Sequence, residues 1–192
     1  LTREFVGMAG DRPMGLPPAL VCMDRQRTVL FICHANTCRS VIASELLKHF
    51  LQQRALHGLW QVRSGGIAPY ARDGALVSLD ARLVLREEGI ELARDACSTD
   101  LKRNRHLLTE ADLILAMTAE QIRMLREYFP EAQGKPAFTL KEFAGESGDV
   151  EDPFGQPERA YALCKDEIKR CLLRIVDRWA GEIGGTQWVR SS

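Results

Sequence analysis

The chain has 192 residues, 45% of them hydrophobic and 27% charged, the proportions of one soluble domain with a sizeable core and short extensions. Lysine and arginine total 26, aspartate and glutamate total 26, and the formal net charge is zero. That balance excludes a bulk electrostatic footprint for nucleic acid or an acidic membrane, so any anion site has to be local.

Residues 1–27 carry turn residues, Gly10-Asp-Arg-Pro13 and Gly15-Leu-Pro-Pro18, with little periodicity, and read as an arm or linker. Thr28 to Cys33 is a continuous apolar, β-favouring run, the pattern of a strand buried on both faces in a parallel sheet. A helix is expected at once behind it, from Arg39 to Gln53, with Ile42, Leu46, Leu47 and Phe50 on one face. A second strand is expected at 59–63, ended by Ser64-Gly65-Gly66, and a second helix from Asp73 to Glu88 with Gly89 as its stop signal. Leu113 to Met117 reads as the third strand, and Thr118 caps a helix from Ala119 to Tyr128. Phe138 to Leu140 is a fourth, short strand. A long helix from Pro157 to Ala180 closes the pattern, and residues 181–192 read as a frayed tail.

Strands alternating with helices imply an α/β fold: an open four-stranded parallel sheet with helices on both faces. Ligands of such sheets bind at the carboxyl ends of the strands. Six cysteines, Cys22, Cys33, Cys38, Cys97, Cys164 and Cys171, show no short paired spacing, the usage of a reducing cytoplasm. No apolar run approaches the ~18 residues that span a bilayer, and neither a membrane nor a nucleic-acid partner is expected.

The chemistry is concentrated in Cys33-His-Ala-Asn-Thr-Cys-Arg-Ser40, the turn between the first strand and the first helix. Unpaired amides and the helix dipole make such a turn an anion site, and the planar guanidinium of Arg39 can hold two phosphate oxygens. Cys33 stands where loop amides converge, a setting that favours a nucleophilic thiolate. The glycine-rich loop ending in Gly-Lys-Ser or Gly-Lys-Thr is absent, which argues against an ATPase or GTPase. Cys33, His34 and Cys38 have no second ligand pair at a credible zinc spacing, so neither metal nor cofactor is expected.

A Cys, five residues and Arg-Ser, here Cys33 to Ser40, together with Glu151-Asp-Pro-Phe-Gly155 far downstream, resembles the low-molecular-weight protein tyrosine phosphatase family, over roughly residues 28–180. The resemblance implies a protein phosphatase that forms a phosphocysteine. Cys33 would be the nucleophile and Arg39 the phosphate clamp. The loop formed by His34, Ala35, Asn36, Thr37, Cys38, Arg39 and Ser40 would be the phosphate cradle. Asp152 would protonate the leaving group and then activate water. Ser40 would assist departure of the Cys33 sulfur, Ser64 would support Asn36, and Cys38 would trap an oxidised Cys33 as a disulfide.

Three positions depart from the family pattern: Ala35 stands where glycine is usual, Val41 where proline is usual, and Arg94 near where a histidine supports the loop. Ala35 is expected to restrict the loop backbone. Thr37, where the phosphotyrosine branch carries a bulky aliphatic residue, resembles the bacterial protein arginine phosphatases and favours phosphoarginine on protein as substrate. A phosphotyrosine phosphatase, an arsenate reductase, for which only Cys97 is available as a relay, and a catalytically weak phosphoprotein-binding module stay open as alternatives.

Overall fold

The computed structural model describes residues 25–189, with side chains to residue 182. The arm expected at 1–27 therefore lies almost wholly outside the described residues, as do residues 190–192. Four parallel strands, β1 (Arg27–Cys33), β2 (Trp60–Gly66), β3 (Leu113–Ala116) and β4 (Ala137–Thr139), form one sheet in the order β2-β1-β3-β4. The connections are the helices α1 (Arg39–Gln53), α2 (Leu79–Glu87), α3 (His106–Glu110), α4 (Ala119–Tyr128), α5 (Leu140–Phe143) and α6 (Glu158–Val189).

Strand alternation sorts β1 between two cores. Val29 and Phe31 face one cluster with Ile42 and Leu46 of α1, Phe143 of α5 and Ile168, Ile175 and Trp179 of α6. Leu30 and Ile32 face the other, with Leu108 of α3 and Ile122 and Leu125 of α4. Both faces of the central strand are thus dry, which is why its sequence is continuously apolar. Trp60 at the start of β2 stacks on Trp179 at 4.0 Å between ring centroids, pinning α6 across the amino-terminal end of the sheet.

The chain runs from β1 out to β2 and then back across β1 to β3, so the order reverses between β1 and β3. Their carboxyl ends open the crevice where open α/β sheets bind ligands. The expected architecture is observed.

Several boundaries differ from expectation. β2 continues through Ser64, Gly65 and Gly66, paired in register with Phe31, Ile32 and Cys33. α2 starts at Leu79 and not Asp73, because Gly74 takes φ 79° and the Ser78 hydroxyl accepts from the Ala81 amide as a helix cap. Thr139 likewise caps the four-residue α5 through Glu142 and stops β4 before Leu140. The last helix continues past Ala180 to Val189. No helix among the described residues is long and apolar enough to cross a membrane.

Candidate active site

The turn after β1 is built as an anion cradle. Four of its carbonyls are bonded to backbone outside the turn: Cys33 O to the Ile67 amide at 3.0 Å, His34 O to Ala68 at 3.0 Å, Thr37 O to Ser78 at 2.9 Å and Cys38 O to Ile42 at 2.9 Å. Among the described residues, nothing accepts from the amides of His34, Ala35, Thr37 or Cys38. α1 opens directly behind them with no side-chain cap and no acidic residue in its first turn. A loop with most of its carbonyls bonded and most of its N–H groups unspent, ending on an uncapped helix, attracts an anion.

Asn36 closes this loop on itself. It takes φ 59°, which asparagine tolerates better than most residues. Its Nδ2 donates to Ser40 Oγ at 2.9 Å, and its Oδ1 accepts from the Thr99 amide at 2.8 Å. These partners replace the Ser64 contact expected from the sequence. Ser64 stands opposite Phe31, two residues short of Cys33, and so lies below the loop and not beside it. Ala35 does not take a left-handed conformation; among the described non-glycine residues only Asn36 and Ala55 do. A Cβ at position 35 is therefore accommodated without backbone strain, contrary to expectation, and Arg94 is exposed.

Cys33 is buried. Its Sγ receives the Asn36 N–H at 3.3 Å and shares a hydrogen bond with Ser40 Oγ at 2.9 Å; both contacts stabilise a sulfur anion. The Cys38 thiol is pushed well up by burial first, then by Cys164 and Cys33 nearby. It stays a thiol at neutral pH.

Arg39 is 2% exposed. Its Nη1 donates to the Val150 carbonyl at 2.9 Å, and its Nη2 pairs with Asp152 Oδ2 and stands 3.5 Å from His34 Nδ1. The loop that carries Asp152 is tied to β3 through the Val150 amide and Met117 O at 2.8 Å, and Asp152 Oδ1 accepts from the Phe154 amide at 3.2 Å. His34, 3.9 Å away, and the Arg39 guanidinium, in direct contact, hold the Asp152 carboxyl below the usual carboxylate range. The shorter contact makes Arg39 the firmer anchor.

These groups line a cavity of about 360 Å³ with Thr37 in its wall and Tyr70, Arg72 and Phe154 at its mouth. Cys33, Arg39 and Asp152, 119 positions apart from first to last in the chain, are thus brought together. Sequence reading missed Tyr70, Arg72 and Thr99, which reach the site because the segments after β2 lie beside the carboxyl end of β1. The one usable signal was Gly65-Gly66. A Cβ on Gly66 would stand 2.8 Å from the Ala35 carbonyl carbon and 2.9 Å from Ala71 Cβ, so the loop needs glycine there. Gly66→Ala is expected to cost about 1–3 kcal/mol of stability and to weaken inhibition by inorganic phosphate. Thermal melts and phosphate competition check this, and an unchanged phosphate affinity would show that the Ala35 backbone does not feel position 66.

Comparison with known proteins adds to this geometry. The family model described as low molecular weight phosphotyrosine protein phosphatase matches residues 28–182. A protein-arginine-phosphatase of Geobacillus stearothermophilus is 39% identical over 151 residues, 78% of this chain and 94% of its own length. The low molecular weight protein-tyrosine-phosphatase PtpB of Staphylococcus aureus is 28% identical, over 78% of this chain and 96% of its own. A solved structure of the YwlE arginine phosphatase, a cysteine-to-serine mutant with a phosphorylated active-site serine, superposes with a TM-score of 0.70 at 32% identity, covering 79% of this chain and 94% of that one. With the cradle, the cysteine at its floor and a match over most of its length, the chain belongs to the low-molecular-weight phosphotyrosine protein phosphatase family of cysteine-dependent hydrolases.

Proposed function

We propose that this phosphatase removes phosphate from phosphoarginine side chains of proteins, through a phosphocysteine on Cys33. The carrying observation is Thr37: it lines the same cavity as Cys33, so the size and polarity of its side chain shape the wall that the substrate meets. Similarity to proteins named arginine phosphatases supports the same reading.

In the first step the Cys33 sulfur attacks phosphorus, the phosphorus–nitrogen bond breaks, and Asp152 gives its proton to the departing guanidine nitrogen. Arg39 and the amides from His34 to Arg39 hold the equatorial oxygens as charge develops. In the second step Asp152 takes a proton from water, the water oxygen bonds phosphorus, and the sulfur leaves toward the Ser40 hydroxyl. Asp152 is ionised in the resting enzyme because Arg39 and His34 face it. A phosphate that takes over Arg39 removes one of those restraints, and a substrate bound as its monoanion brings the proton that Asp152 must donate.

Phe154 and Tyr70 stand exposed on separate loops at the mouth, with no adjacent pair of tyrosines after Asp152 to sandwich a phenol ring. Residues 28–180 would form the catalytic domain, residues 1–27 an arm or linker and the end of the chain a tail. The reducing cytoplasm is the compartment that suits five free cysteines among the described residues. The test is kcat/KM on matched phosphoarginine and phosphotyrosine peptides. Wild type is expected to favour phosphoarginine, and Thr37→Ile to move the preference toward phosphotyrosine by at least about tenfold, roughly 1.4 kcal/mol. A wild type that prefers phosphotyrosine overturns the assignment.

A further inference from the structure

Asp152 and an incoming phosphate both need the same face of Arg39. Nη1 is committed to the Val150 carbonyl, and the remaining terminal nitrogen, Nη2, holds Asp152 Oδ2 in the ligand-free protein. A bound phosphate that takes Nη2 displaces the carboxylate, which must then be kept near the leaving group by another contact. Its other oxygen, Oδ1, is fixed by the Phe154 amide. The carboxylate can turn about that anchor.

One side chain stands ready to receive it. His34 Nδ1 lies 3.9 Å from Asp152 Oδ2, and on the far side of the ring His34 Nε2 lies 4.0 Å from Oε2 of Glu120, in the first turn of α4. The ring is thus flanked by a carboxylate at each nitrogen. The groups that face it are Arg39 from α1, Asp152 from the loop before α6, Glu120 from α4 and, at 6.5 Å between ring centroids, Tyr70 from the segment after β2. Nδ1 stands 3.5 Å from Arg39 Nη2 and 3.9 Å from Asp152 Oδ2, so a ring with its proton on Nε2 alone accepts from Arg39, and only a ring with a proton on Nδ1 donates to Asp152.

We propose that His34 is a positioning residue for Asp152: it takes Oδ2 over from Arg39 when phosphate binds, braced at its other nitrogen by Glu120. The handover needs a second proton on the ring, taken from solvent and separate from the one the substrate brings to Asp152, so that Nδ1–H donates to Asp152 while Nε2–H stays toward Glu120. The carboxyl then rests on the leaving-group side of the cavity with a proton donor beside it. The inference rests on the proposed role of Asp152 as general acid and is independent of which phosphorylated side chain is the substrate.

The test separates acid placement from loop integrity by the leaving group. Nitrophenolate departs without protonation, whereas a guanidine or an unactivated phenol needs the proton. kcat/KM is measured for wild type, His34→Gln, Glu120→Gln, Asp152→Asn and the His34→Gln/Asp152→Asn double variant. The substrates are p-nitrophenyl phosphate and whichever of a phosphoarginine or phosphotyrosine peptide wild type hydrolyses faster. His34→Gln is expected to lose at least about tenfold more on the peptide than on p-nitrophenyl phosphate, and to add less than about twofold to the loss caused by Asp152→Asn, as coupled neighbours do. Glu120→Gln should shift the same ratio in the same direction by a smaller factor. Equal losses of His34→Gln on both substrates, or a double variant whose losses multiply in full, would overturn the inference; an unshifted Glu120→Gln would remove the brace. If Asp152→Asn itself treats the two substrates alike, the general-acid reading fails first, and that outcome is distinct from failure at His34.

Discussion

Cys33→Ser is expected to lower turnover of every phosphorylated substrate by at least about 10³-fold with little change in melting temperature. The site explains the size. The two contacts on the sulfur, from the Asn36 amide at 3.3 Å and Ser40 Oγ at 2.9 Å, stabilise an anion that a thiol forms readily and a hydroxyl does not. The smaller oxygen also sits farther from the phosphorus that the amides hold. Whatever does react should stop halfway, because an alkoxide is a poorer leaving group than a thiolate even with Ser40 beside it. The solved arginine phosphatase whose cysteine-to-serine mutant carries a phosphorylated active-site serine is the precedent. Intact-protein mass spectrometry after prolonged incubation with a phosphorylated substrate should show one phosphoryl group at position 33, and turnover within about tenfold of wild type would mean that another group attacks phosphorus.

What the sequence reveals of this site follows the range of the interactions that make it. The cradle is contiguous: strand, turn and helix N-terminus are set by residues within a few positions of each other, so Cys33 to Ser40 could be assigned from pattern and elementary electrostatics. Asp152 was legible only through a motif, since an Asp-Pro turn is ordinary by itself. The partner of Asn36 was not legible, because register decides it. Ser64 lies within β2 and Thr99 far beyond it, and only the pairing of Cys33 with Gly66 puts the Thr99 segment, not Ser64, at the height of the loop. Glu120 was hidden for the same reason: in sequence it is one more acidic residue in the first turn of a capped helix, where the dipole alone accounts for it. The misplaced start of α2 has a local cause, since the leucines at 76, 79 and 83 mimic a helical stripe although Leu76 and Leu79 are exposed.

Arg39→Lys is expected to reduce kcat/KM by about 10²–10³-fold, the cost of losing one well-placed donor to the transition state, although the charge is kept. The guanidinium makes two commitments at once, to the Val150 carbonyl and to the Asp152 carboxylate that phosphate later replaces. A lysine ammonium is a single point and cannot reproduce that fork. Val150 is fully buried, and its carbonyl would lose its donor at a cost of about 1–3 kcal/mol, loosening the segment that carries Asp152 two residues on. The stability loss should depend on pH in a defined direction. Asp152 is held below its ordinary range in the folded protein, so its contribution is complete above the unfolded carboxylate range of about 4 and is lost as pH falls through the lowered folded value. In wild type that loss removes the Arg39–Asp152 pair on acidification; in the variant the pair is already weakened. The melting-temperature gap between wild type and Arg39→Lys should therefore be widest at neutral pH and narrow as the solution is acidified below the carboxylate range. A gap that stays constant or widens on acidification would show that Asp152 does not depend on the guanidinium for its charge.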